Sequence, residues 1–438
     1  MKINYKQFLS YFLIFFLVTS LITCKNRFGL DINSYIYHIN EPLDGLFLIF
    51  TWVFFKSAFI PSVLLALLFS YLPNINKIEK YTKYTTKFLL SVLVCFLFFF
   101  TYKIFKMPVN RALFLKNTND FYAENYVNPD DVKINFKNKK NILILSMESM
   151  ERGYDNLIPN LIKYENTNLS FKNYYNITSA NFTMGSNVAI MCGVGLLSYN
   201  KSSTGSLHRK FMPNITCISD ILAKNGYKNY HLQAGSPKFS GVDKFVKEHN
   251  YEYIIGNLGD GIEGDKILYS KAKNLLQEIK DEPYLIWLST MATHDPMPDT
   301  NVIKESDEIA FEFIEWYKKF DKDAIIVIVG DHLARGSENE LKSKLQKLPT
   351  TDRSTINLIV KGGGTDYVNK NRVFTYFDLM PTILESIGGQ IEGRKLGLGV
   401  SLYGNDPTLA EKYGAEKFEE QVAIGGSEKY KSFFKNKE

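Results

Sequence analysis

Asn141-Ile142-Leu143-Ile144-Leu145-Ser146-Met147-Glu148-Ser149 decides how this chain is read. An apolar run this short is the length of a buried strand, and it stops at a carboxylate. The same pattern recurs at Ala324-Ile325-Ile326-Val327-Ile328-Val329-Gly330, which runs into Asp331-His332. Further strands are expected over 227–233, 283–290 and 355–361, and helices over 184–191, 216–225, 265–280, 305–320 and 378–387. Strands alternating with helices in this way predict an α/β fold, a mostly parallel sheet covered by helices on both faces. Ligands in such sheets bind beyond the carboxyl ends of the strands. That is where Glu148 and the Asp331-His332 pair would lie.

Metal chemistry on such a sheet needs carboxylates and imidazole converging at strand ends, with a hydroxyl close by to be activated. Thr183 follows Glu148 by 35 residues, in Asn181-Phe182-Thr183-Met184-Gly185-Ser186 at an expected helix start. Alone it reads as an N-cap. The two roles are compatible, because the positive end of a helix favours a deprotonated oxygen or an incoming phosphate. His294, after the strand 283–290 and before Asp295-Pro296, is a candidate phosphate ligand or general acid. Taken singly, Glu148 and the Asp-His pair would read as capping residues; their shared position at strand ends is what groups them.

The first 106 residues have a different character. Apolar stretches over 8–24, 46–72 and 88–105 each approach the ~17 to 25 residues that span a bilayer. The middle stretch holds Lys56 and Pro61, so it is either one long kinked helix or a re-entrant piece plus a span. Lys2 and Lys6 precede the first stretch, and Lys77, Lys80, Lys83 and Lys87 separate the second from the third. Lysine-rich short loops stay cytoplasmic, which places everything after Lys106 on the other side. No small-x-small cleavage site precedes Lys25, which argues against a cleaved signal peptide. The expected organisation is a membrane domain over 1–106, a connector over 107–136, a catalytic domain over 137–405 and a charged tail over 406–438.

The net charge of +6 does not mark a nucleic-acid binder. Residues 1–140 hold 17 basic and 8 acidic side chains, leaving 35 and 38 for the rest. The positive excess therefore flanks the membrane segments, where topology and anionic headgroups account for it. Cys24 and Cys95 fall in apolar stretches and read as inert. Cys192 and Cys217 could pair in an oxidising compartment, or stay as two separately buried thiols.

The ordered motifs Met147-Glu148-Ser149-Met150-Glu151-Arg152, Asn181-Phe182-Thr183-Met184-Gly185-Ser186, Met191-Cys192-Gly193-Val194, Thr293-His294-Asp295-Pro296 and Gly330-Asp331-His332-Leu333-Ala334 resemble one family closely. It is that of the phosphoglycerol transferases that decorate osmoregulated periplasmic glucans, in the alkaline phosphatase and sulfatase superfamily. Met212-Pro213-Asn214, Phe239-Ser240-Gly241, Asp378-Leu379-Met380-Pro381-Thr382 and Leu396-Gly397-Leu398-Gly399 agree as well, and Ile32-Asn33-Ser34 to Tyr37-His38 resembles the family's first outer loop. The likeness reaches to about residue 403.

The resemblance implies a sulfatase-like α/β/α sandwich and a metal site of Glu148, Thr183, Asp331 and His332, with Thr183 as nucleophile and His294 on the substrate side. One divalent cation is implied, with manganese expected ahead of zinc because oxygen donors predominate. It further implies a multi-pass protein of the bacterial cytoplasmic (inner) membrane with an extracytoplasmic catalytic domain. The implied reaction moves phosphoglycerol from phosphatidylglycerol to an envelope glycan and releases diacylglycerol into the bilayer. Phosphoethanolamine transfer, simple phosphodiester hydrolysis and a non-catalytic scaffold stand as alternatives. Departures from the family fall at Ser240, Val242 and Asp295, positions that bear on headgroup and acceptor recognition. Sulfatase chemistry proper is excluded, since it needs a formylglycine made from Cys or Ser followed by Pro or Ala and then Arg. Thr183-Met184-Gly185-Ser186-Asn187 offers none of these.

Overall fold

The computed structural model describes residues 5–28, 33, 34, 37, 47–71, 95, 120–197, 210–294, 299–336, 338–348, 352–360, 370–423 and 427–435. The strands are β1 (Ile134–Phe136), β2 (Ile142–Met147), β3 (Leu169–Ser170), β4 (Lys228–Gln233), β5 (Tyr253–Ile255), β6 (Tyr284–Ser289), β7 (Ile325–Gly330), β8 (Asn357–Val360), β9 (Gly389–Ile391), β10 (Lys395–Leu396) and β11 (Gly399–Val400). Seven of them form one sheet in the order β3-β8-β7-β2-β6-β4-β5. The five strands from β7 to β5 are mutually parallel, while β8 runs antiparallel to β7 and β3 antiparallel to β8. All five strands expected from sequence are present, and the sheet is mostly parallel as expected. The antiparallel direction of β8 is the addition.

Both faces of the sheet are buried, so its central strands can be apolar at every position. On β2, Ile142 and Ile144 enter one core, and Leu143, Leu145 and Met147 enter the other. The helices Thr183–Cys192, Ile218–Lys224 and Leu379–Ser386 contribute to the first core, and Pro159–Thr167, Gly261–Ile279 and Thr300–Phe320 to the second. This is the α/β/α sandwich. The stretch read as a charged tail carries helices at Leu409–Tyr413, Ala415–Ala423 and Glu428–Ser432, and buries Phe418, Val422, Tyr430 and Phe433 in the first core. The Tyr430 hydroxyl donates to Gly195 O and accepts from Leu197 N. The connector is likewise tied down at Phe121 and Tyr122, and β1 pairs antiparallel with β9.

Before the sandwich lie two packed helices. The first is Tyr5–Phe28, and the second runs through Phe47–Phe54, Phe55–Phe59 and Ile60–Tyr71. Phe55–Phe59 is a π-turn in which Ile60 N donates to Phe55 O. It absorbs Pro61, whose ring and missing N–H disturb the preceding turn, so the stretch is one helix and not a re-entrant pair. Ala58, Ser62, Ala66 and Ser70 recur every four residues and are buried against the first helix, where the Thr19 and Ser62 hydroxyls lie 2.9 Å apart. Leu9, Leu13, Leu17, Trp52, Phe59, Leu64 and Leu68 face outward. The second helix thus turns its small and hydroxylated residues inward, against Tyr11 and Phe15 of the first, and its large apolar ones outward. Among the described residues, Thr51–Ser70 is long and apolar enough to cross a membrane, whereas Phe8–Thr23 is a shorter apolar helix. The third expected span, over 88–105, lies outside the described residues except Cys95.

Cys192 and Cys217 are joined as a disulfide across 25 residues, which settles the alternative left open by composition. It links the end of the Thr183–Cys192 helix to the start of Ile218–Lys224. A closed loop of this length stabilises a fold by about 3 kcal/mol through the unfolded state. A Cys192→Ser/Cys217→Ser protein should lose roughly that much in urea denaturation, with the far-ultraviolet dichroism of the native state retained.

Candidate metal centre

Strand pairing creates the site. In the parallel register of β2 and β7, Met147 sits opposite Gly330, so the next residue on each strand is a carboxylate. Glu148, Asp331 and His332 place one ligand atom each within 4.8 Å of one another, and all three side chains are buried. His332 Nε2 lies 3.2 Å from Glu148 Oε1 and 3.6 Å from Asp331 Oδ2. Thr183 Oγ1 stands 3.4 Å from the same nitrogen. All four residues expected to hold a metal are therefore brought together.

Backbone contacts set the orientation of each group. The Glu148 N–H donates to Thr290 Oγ1 at 3.0 Å, and the Thr293 hydroxyl donates to Glu148 O. Ser149 takes a left-handed backbone, φ 49°, which turns its N–H onto Asp331 Oδ1 at 2.8 Å. The His332 N–H donates to the same oxygen at 2.7 Å. Nδ1 donates to Leu333 O at 3.0 Å, so Nε2 is the ring atom that faces the cluster and that would ligate a metal once deprotonated. Thr183 is the first residue of its helix, and Phe182 is the N-cap without a capping side chain. The expected capping role is thus displaced by one residue. The Thr183 hydroxyl is left to point toward His332.

The electrostatics of the cluster follow from burying two acids together. Burial pushes the Asp331 carboxyl up to about 7, and the charge of Glu148 adds to that. Burial also acts to raise Glu148, but His332 and His294, with hydrogen bonds from His332 and Ser149, outweigh it and hold the carboxyl down at about 2. Burial opposes charging His332, yet Asp331 and Glu148 together raise its pKa. Two buried acids facing one imidazole form a donor set that fits a divalent cation.

His294 is half-buried and reaches Glu148 through its charge. Its N–H donates to Met291 O, and its ring meets Phe239 edge-on at 5.9 Å between centroids. Asp265 holds this turn, accepting from Met291 N at 2.8 Å and Ala292 N at 3.1 Å. A second buried trio, Cys217, Asp220 and His249, also has ligand atoms within 4.8 Å of one another. Cys217 is spent in the disulfide, and His249 binds Asp220 Oδ2 and Phe211 O, so the trio is structural.

Reading by motif passed over Glu151. It is fully buried one turn beyond Glu148, where Oε1 accepts the Ala334 N–H at 2.6 Å and the carboxylate pairs with Arg353. Arg353 Nη2 also donates to Ala334 O at 2.5 Å, so this ion pair fixes the loop that leaves His332. The available signal was the second acid of Met147-Glu148-Ser149-Met150-Glu151.

The chain is similar to several known proteins. The sulfatase family model matches residues 140–389. Phosphoglycerol transferase I of Escherichia coli is 26% identical over 305 residues, covering 60% of this chain and 39% of that protein. Its counterpart from Shigella boydii is 25% identical with the same coverage. The matched part of the chain thus spans 39% of the length of these curated relatives. Among solved structures, an alkaline phosphatase superfamily protein from Vibrio parahaemolyticus aligns with a TM-score of 0.49 at 19% identity, covering 70% of this chain and 81% of that one. The lipoteichoic acid synthase LtaP from Listeria monocytogenes aligns at 0.48 and 18%, covering 68% and 80%.

Removing Arg353 would leave the Glu151 carboxylate buried and unpaired, which costs about 3–5 kcal/mol. Arg353→Ala should therefore lower stability by that amount in urea denaturation. Adding Glu151→Gln should recover part of the loss, because the uncompensated charge is then gone.

Proposed function

Because this chain belongs to the sulfatase family of the alkaline phosphatase superfamily, we propose that it is a membrane-anchored, metal-dependent transferase that moves phosphoglycerol from phosphatidylglycerol to a cell-envelope glycan. The observation that carries the reading is the Thr183 hydroxyl, at a helix start and 3.4 Å from His332 Nε2, facing two buried carboxylates. Glu148, Thr183, Asp331 and His332 would hold one divalent cation, manganese ahead of zinc. When bound, the cation supplies positive charge that lowers the hydroxyl pKa and offsets charge on the phosphoryl oxygens.

The reaction is a double displacement. Thr183 Oγ1, its proton already lost to solvent through the lowered pKa, attacks phosphorus, the bond from phosphorus to the diacylglycerol oxygen breaks, and that oxygen leaves with a proton donated by His294. Thr183 then carries a phosphoglycerol ester. A glycan hydroxyl attacks the same phosphorus, its proton returns to His294, and the Thr183 oxygen is released. The unpaired N–H groups of the helix Thr183–Cys192 favour negative charge at this place. Anchoring by several spans, with the catalytic domain outside the cytoplasm, keeps diacylglycerol in the bilayer throughout. The matched curated relatives carry the name of this activity.

Mass spectrometry of the full-length protein after brief exposure to phosphatidylglycerol vesicles tests the proposal. A phosphoglycerol mass on the Thr183 peptide is expected; a phosphoethanolamine mass after exposure to phosphatidylethanolamine alone would reassign the donor. Thr183→Ala should abolish diacylglycerol release by at least about 1,000-fold while still binding manganese, because three ligands remain. Full turnover by that variant would sink the mechanism.

Metal loading should also depend on pH. Asp331, raised to about 7 in the metal-free protein, must give up its proton to bind. His332, whose pKa Asp331 and Glu148 raise, must lose its proton as well. Manganese affinity should therefore climb as pH rises through about 7, and calorimetry in buffers of differing ionisation enthalpy should show more proton release at pH 6.5 than at pH 8.5.

A further inference from the structure

The segment just after the first apolar helix reaches into the catalytic domain. Asn33, Ser34 and Tyr37 are fully buried, although by sequence they belong to the membrane-proximal part. Asn33 Nδ2 donates to Leu196 O at 2.8 Å and to Thr178 O at 3.4 Å. Thr178 opens the turn Thr178–Ala180, which leads into the Thr183 helix, and Leu196 follows that helix after its disulfide-bonded end. One carboxamide thus ties together the chain entering the helix and the chain leaving it.

Tyr37 makes the complementary contact at the other side. Its ring packs on Phe182, the N-cap residue adjoining Thr183, with centroids 5.0 Å apart. Its hydroxyl donates to Ser240 O at 2.5 Å. Ser240 lies in the turn Phe239–Gly241 with a left-handed backbone, φ 55°, and Phe239 meets the His294 ring. Tyr37 therefore sits between the residue that aims Thr183 and the turn that packs on His294.

We propose that Asn33 and Tyr37 are positioning residues for the transfer reaction, holding the Thr183 helix start and the Phe239–His294 side at a fixed separation. The inference rests on the reading of Thr183 as nucleophile. It also makes the first outer segment part of the active centre as well as a tether. Buried amide and phenol groups bonded to main-chain carbonyls lose those partners if the segment undocks, so the contact is held by more than apolar packing. From Phe28 to Asn33 the chain covers at most about 18 Å. The headgroup layer beyond each hydrocarbon face is about 5–7 Å deep. Docking Asn33 thus brings the Thr183 helix within reach of a phospholipid phosphodiester.

The test uses the full-length chain with manganese in phosphatidylglycerol vesicles, and a soluble diester, bis(p-nitrophenyl) phosphate, as second substrate. Tyr37→Ala should lower kcat for both substrates by about 10–100-fold, with KM for the soluble diester unchanged within about twofold. Tyr37→Phe keeps the ring on Phe182 and should fall between wild type and Tyr37→Ala, with Tm within a few degrees of wild type. Asn33→Ala should slow formation of the Thr183 adduct in a single turnover. Loss of lipid turnover with full soluble-diester turnover in all three variants would show a tether only and overturn the proposal. Equal kcat in wild type and in a folded Tyr37→Phe and Tyr37→Ala pair would overturn it too. Failure of the underlying reading has a separate signature: soluble-diester turnover by Thr183→Ala removes the nucleophile assignment. Wild-type turnover of the soluble diester without diacylglycerol release removes the donor, while Tyr37 is still decided on the soluble diester.

Discussion

Parallel pairing of β2 with β7 forces two carboxylates into one dry place, and the rest of the centre answers that constraint. With ligand oxygens within 4.8 Å and an effective dielectric near 20, the repulsion between Glu148 and Asp331 amounts to about 3–4 kcal/mol. The protein offsets it locally. Asp331 Oδ1 accepts two main-chain N–H bonds, from Ser149 and His332, and Glu148 faces the imidazole. Hydrogen bonds to a charged oxygen contribute about 1.5–3 kcal/mol each, enough to hold the pair but not to neutralise it. Positive charge remains wanted at this point. A divalent cation meets that need with the carboxylate and imidazole donors already in place.

Closeness of the two strand ends demands unusual backbone. A Cβ on Gly330 would lie 2.0 Å from Met150 O, so the residue before Asp331 has to be glycine if the turn after Glu148 is to pass beside it. The Tyr376 hydroxyl donates to Gly330 O, and Thr355 Oγ1 meets that same hydroxyl at 2.8 Å. On the far side of the turn, the Glu151–Arg353 pair binds both backbone groups of Ala334. The ligands are consequently set by main-chain geometry, with side-chain freedom nearly removed. Such a site is pre-organised before any substrate arrives.

Much of this was legible in the chain because Glu148 and the Asp331-His332 pair each follow an apolar run. Strands buried on both faces announce themselves by composition, and their last residues identify the functional edge. The direction of β8 was not legible, since an apolar run carries no mark of parallel or antiparallel pairing. Glu151 and Arg353 escaped for a different reason: they are 202 residues apart, and an acid that braces a loop looks like any other acid until its partner is placed. Asp265 is similar, a single carboxylate on a long amphipathic helix that serves the His294 turn. The residues after 406 read as a peripheral helix or a frayed tail because of their charge, which left their burial out of view. Phe418, Tyr430 and Phe433 are few, yet they bury completely, and four aromatic anchors, counting Tyr122, are enough to seat the segment.

The two apolar helices and the sandwich solve one problem from opposite ends. Lifting a diacyl lipid from its bilayer exposes two chains at about 0.8 kcal/mol per methylene, on the order of 20 kcal/mol in all. On the proposed reading, a lipid donor is met where it lies, with only its headgroup entering the centre. The chain from Phe28 to Asn33 can span at most about 18 Å, and the contacts of Tyr37 with Phe182 and Ser240 join the segment to the start of the Thr183 helix. If Thr183 is the nucleophile and the first helix lies in the bilayer, height above the membrane and aim of the hydroxyl are set by the same few residues.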